Sequence, residues 1–181
     1  TFWPLIQERI VELLKSCSGI ASMHVFIFMR CCLFGLSDNA ITSLVALLHP
    51  TIMEALSMAA ESGEQGEDSL YQLTGIFCFL DCIFLLHRHI AVAYLWGICS
   101  PSTTEGILKD IADKHQLAAP KVLSNIDPHG FILPTSKPAD MSGFASFLHG
   151  LHHRIVQCRH SDQLTKADIE RLTCIAVQEM P

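Results

Sequence analysis

The chain has 181 residues, half of them hydrophobic and 17% charged, with a formal net charge of −6. That length allows one sizeable core, and the apolar excess requires helices buried on more than one face or lying in lipid. An acidic balance gives no long-range attraction to phosphate backbones, so nucleic acid is not expected as the principal partner.

The chain opens Thr1-Phe2-Trp3-Pro4 and is expected to be a segment of a longer protein, folding as a single all-helical domain over 1–181. Leu5, Ile6, Ile10, Leu13, Leu14 and Cys17 recur at helical spacing, opposite Glu8, Arg9, Glu12 and Lys15. They predict an amphipathic first helix, with Pro4 where a helix start tolerates it and Gly19 as its end. Residues 20–36 are nearly all apolar, interrupted by His24 and Arg30, which predicts a helix central to a packed array.

Ser37-Asp38-Asn39 supplies a stop and a new N-cap. Ile41, Leu44, Val45 and Leu48 carry the next helix to Pro50, where a separate helix is expected to begin. The acidic stretch 61–68, with two glycines, reads as an exposed loop. A second apolar run, 70–99, predicts two helices turning near His87-Arg88-His89, and Ser100-Pro101 opens another through Leu108 and Ile111. The segment 127–140 holds three prolines and reads as a connector. Two more helices are expected, near 141–160 and 166–179, with Thr165 and Asp168 as a capping box. No run of period two calls for a strand.

An offset of about 50 residues lays Phe26-Ile27-Phe28-Met29-Arg30-Cys31-Cys32-Leu33-Phe34 over Ile76-Phe77-Cys78-Phe79-Leu80-Asp81-Cys82-Ile83-Phe84. One more residue puts Pro50 over Pro101 and Glu54 over Glu105. In this pattern the chain resembles the HEAT and armadillo class of helical repeats, whose units run to roughly 40–47 residues. The resemblance implies an all-α fold of stacked antiparallel helices, an α-solenoid, with an irregular helical bundle as the alternative. Residues 1–60 and 69–126 would be the repeating units and 139–181 a C-terminal pair. Phe34 and Phe84 would then occupy equivalent buried slots.

The function expected is a non-catalytic scaffold that binds a partner's helix or extended peptide. The stripe Met23, Phe26, Met29 and Arg30 is the candidate docking surface, competing with a plain core role. His149 and His153 stand one helical turn apart, a spacing that suits zinc, but no Glu of a zinc-protease motif and no Cys-x-x-Cys accompanies them. No metal and no cofactor is therefore expected.

Six of the eight cysteines, including Cys78 and Cys82, sit in or at the ends of apolar runs, where thiols pack as small hydrophobes. A reducing cytoplasm or nucleus is the compartment expected. Asp81 lies inside an apolar run and is costly there unless paired; Arg30, in the neighbouring copy, is its expected partner, and a water-facing position is the alternative. A membrane-embedded helix pair drawn from 20–36 and 70–99 is the rival reading. Arg30, Asp81, His87, Arg88 and His89 leave neither run a window of roughly 18 residues free of ionisable groups, so no membrane is expected.

Overall fold

A computed structural model describes residues 2–62, 65–95, 106–117, 131, 140–157 and 166–178. Among them are eight α-helices, one short 3-10 helix and no strand. The helices are α1 (Trp3–Ser16), α2 (Gly19–Cys32), α3 (Asp38–Glu61), α4 (Glu67–Leu86) and α5 (Arg88–Tyr94), then α6 (Gly106–Lys114), α7 (Ala145–Gln157) and α8 (Lys166–Gln178). The 3-10 turn Met141–Phe144 leads into α7, and Asp140 caps it by accepting a hydrogen bond from the Ser142 backbone N–H at 2.9 Å.

Local chemistry accounts for most of these boundaries. Pro4 stands in the first turn of α1, and Glu67 and Asp68 in the first turn of α4, where the helix dipole favours carboxylates. Gly19 opens α2 with φ +56°, a left-handed conformation that other residues reach only under strain, and the Asp68 side chain lies against it. The turn at His87 that separates α4 from α5 stands where the sequence places it. Thr165 of the expected capping box, and Cys99, Cys158, Pro101, Glu105 and nearly all of the 127–140 connector, lie outside the described residues.

Two expectations are corrected. Pro50 does not start a new helix: α3 runs through it without interruption. Pro50 and Ala46, one turn before it, are both exposed, so water can satisfy the carbonyl that the proline leaves without a donor. The helix at 20–36 stops at Cys32, and residues 33–35 form a turn. Phe34 is consequently half-buried and packs edge-on against Phe131 at 6.3 Å, whereas Phe84, still inside α4, is fully buried. The two rings do not occupy equivalent slots.

Helix contacts arrange the chain in two layers. α1, α3 and α6 neighbour one another in sequence order in one layer; α2, α4 and α7 do so in the other, and the layers touch through the pairs α1/α2, α3/α4 and α6/α7. The most extensive contact is α2 on α4, and the next is α3 on α6. α2 and α4 run parallel, because Gly19 meets Asp68, Met23 meets Gly75, and the Arg30 carbonyl faces the Cys82 thiol 52 residues later at 3.9 Å. The sequence offset is thus close to the chain separation of residues that touch. At Gly75 a Cβ would lie 2.9 Å from the Met23 Cα and 3.0 Å from its carbonyl oxygen, so glycine is what lets the two backbones approach. α8 turns back to contact α2.

α3 and α4 are each long and apolar enough to cross a membrane, but 78% of the α4 window is buried by the rest of the protein, against 33% for α3. The apolar surface of α4 therefore belongs to the core.

Three histidines tie separate helices together by hydrogen-bonding part-buried carbonyls near helix ends. His87 Nε2–H donates to the Leu33 carbonyl just past α2 (2.8 Å), His115 to Ala59 in the last turns of α3 (2.9 Å), and His149 to Leu117 beyond α6 (3.1 Å). Each satisfies a carbonyl near a helix end, where intrahelical donors run out, and a carbonyl only accepts, so the ring nitrogen carries the proton. Asp38, in the first turn of α3, meets His89 at 3.1 Å and His87 at 3.9 Å.

Burial holds the His87 imidazole below its ordinary value near 6.5, and the Leu33 carbonyl and Asp38 only partly offset it. His152 is lowered too, by burial first and then by His149, His153 and Lys109. The unfolded chain therefore binds more protons than the folded one as pH falls through about 6.5, and this share of stability, complete above that range, is lost on acidification. Urea unfolding at pH 7.5, 6.5 and 5.5 is expected to show falling stability while carboxylates remain ionised. His87→Gln, which keeps a donor for Leu33, should flatten the slope; an unchanged slope would contradict this account.

Candidate functional site

α1 is the most loosely held helix of its layer. Of its apolar residues only Ile10 is buried, Leu14 packs partly on the core, and Leu5 and Ile6 are exposed. Its hold on α3 includes one hydrogen bond, from Gln7 Nε2 to Ser43 Oγ at 2.9 Å. Beyond that bond an open groove of about 480 Å³ lies between the two helices. Val11 and Leu14 form one wall; Leu47, Ala55 and Met58 form the other, with the Pro50 ring between. Lys15 and Glu54 add one charge of each sign, and Gln72 of α4 also reaches it. Leu47 is 38% exposed and Met58 56%, large apolar side chains left facing water along α3. The nearby Arg9–Glu12 pair is solvent-exposed and adds little to stability.

The stripe singled out from sequence lies elsewhere. Phe26 and Met29 are fully buried, Arg30 is buried, and the Met23 backbone lies under Gly75. The Phe26 ring packs against Phe79 at 6.2 Å. Phe26, Met29 and Arg30 thus lie inside the helix packing, out of a partner's reach, while Met23 is half-buried at the α2–α4 seam.

Asp81 pairs with Arg154 of α7 at 2.6 Å, both side chains being almost wholly buried. That replaces the water-facing alternative and adds a partner that the sequence offset did not suggest. Arg30 lies nearby, its guanidinium carbon 4.2 Å from the centre of the Phe131 ring, a cation–π contact. Burial pushes the Cys82 thiol well up, so it stays protonated and packs as a hydrophobe. None of the six described cysteines is in a disulfide.

His149 is occupied with Leu117, and among the described residues no three His, Cys, Asp or Glu side chains converge as a metal site. His153, its proposed companion, is half-buried on the same helix. A scan against protein-family models finds no match to this chain, and searches of curated proteins and of solved structures find none either.

The groove was not legible as a site because the α1 periodicity reads the same whether the stripe is covered or open. The available signal is the width of that stripe: Leu5, Ile6, Leu13 and Leu14 span more than one neighbouring helix can cover.

Proposed function

We propose that the chain is a non-catalytic helical-repeat scaffold that binds other proteins inside the cytoplasm or nucleus. Its docking site is the α1–α3 groove and its occupant an amphipathic helix of the partner. The observation that carries the reading is the row of large apolar side chains along α3, Leu47 and Met58, left exposed beside a loosely packed α1. A helix presenting apolar residues at i, i+4 and i+7 fits such a groove, as stacked-helix proteins bind along their extended surfaces. Charges flanking that stripe would meet Lys15 and Glu54.

Selection of displayed amphipathic helices against the intact chain tests this. Selected helices are expected to lose at least about tenfold in affinity to Leu47→Asp or Met58→Asp. Ile169→Asp on α8, which is also exposed, should leave their binding unchanged. Helices that bind equally well to the groove variants, or no saturable binder at all, would refute the groove as the docking site.

A further inference from the structure

A second, smaller cleft opens at the other end of the two layers, between α6 and α7. It holds about 220 Å³. Leu108 and Ala112, one turn apart on α6, and Leu148 on α7 are buried and give it an apolar floor. Lys109 from α6 and His149 and His152 from α7 are half-buried around it. We propose that this cleft binds a small carboxylate carrying a short apolar group, the carboxylate between Lys109 and His152 and the apolar part on Leu108, Ala112 and Leu148.

The grouping of charge supports that ligand class. Burial is the first thing that disfavours the His152 imidazolium, and His149 and His153 on its own helix and Lys109 across the cleft add to it. Among the described residues Asp113 is the acid lining the cleft, 3.9 Å from the Lys109 ammonium and largely in water, where such a pair is weak. On the α4 side of α7 the carboxylate of Asp81 is already paired with Arg154. Asp140, at the start of the 3-10 helix, holds Ser142. An anion in the cleft offsets the repulsion among the basic groups, so binding takes up a proton on His152. The floor adds what a bare inorganic anion cannot use, the burial of a short hydrocarbon.

Titrating the intact chain with hexanoate, followed by backbone amide shifts, tests the site. Saturable shifts confined to α6 and α7 are expected, with a Kd that falls as pH is lowered from 7.5 to 6.0, by at most about tenfold per unit for one proton taken up. Lys109→Met combined with His152→Asn should weaken binding at least tenfold with the helical circular dichroism unchanged. Hexanol binding as tightly as hexanoate would show that charge is not recognised, and inorganic phosphate binding as tightly would show that the apolar floor is not used. Either result, or no saturable shift at millimolar hexanoate, overturns the proposal. All of these outcomes are independent of the α1–α3 groove.

Discussion

Asp81→Ala is expected to lower the unfolding free energy by about 3–5 kcal/mol, because it leaves the buried Arg154 guanidinium without its carboxylate. Bringing both charges out of water is itself expensive, so the pair is not a net source of stability comparable to that loss. The double variant Asp81→Leu with Arg154→Met should therefore recover most of the deficit. Urea unfolding of the two single variants and the double, combined as a thermodynamic cycle, measures the coupling. A loss below about 1 kcal/mol in either single variant, or a double no better than the singles, would show that the pair is not what joins α7 to α4.

The second large effect is Phe84→Ala, expected to cost about 3–5 kcal/mol, since the ring is fully buried in α4 and its removal leaves a cavity that the core cannot close. Phe34→Ala should cost only about 1–2 kcal/mol, because that ring lies in the turn beyond α2 and keeps part of its surface in water. The same unfolding measurement separates them. Equal losses would restore the equivalence implied by the repeat offset, and small losses at both would move the core away from α4.

The offset was informative about contacts and misleading about slots. It matched Cys32 to Cys82 and Phe34 to Phe84, and the structure does lay α2 beside α4 in parallel. Yet α4 continues to Leu86 while α2 ends at Cys32, so the last positions of the two copies diverge. Sequence similarity between two apolar helices reports their shared need for burial. It carries no information on where each helix stops relative to its neighbour.

That the chain is helical, and where several of its helices begin, was determined by the sequence alone. Periodic apolar residues, Pro4 in a first turn, Gly19 at a break and the polar start at Asp38 act through hydrogen bonds and dihedral preferences confined to a few neighbouring residues. Tertiary structure decided everything that depends on what lies opposite. It carried α3 through Pro50 by leaving that side of the helix in water, and it placed Arg154, from 73 residues further along, against Asp81. It also turned Phe26, Met29 and Arg30 of the stripe inward, with Met23 half-buried beside them, while leaving Leu47 and Met58 outside. An apolar stripe specifies only that it must be covered. Whether a helix of the same chain or of a partner covers it is set by packing between segments far apart in sequence, and local spacing does not encode that.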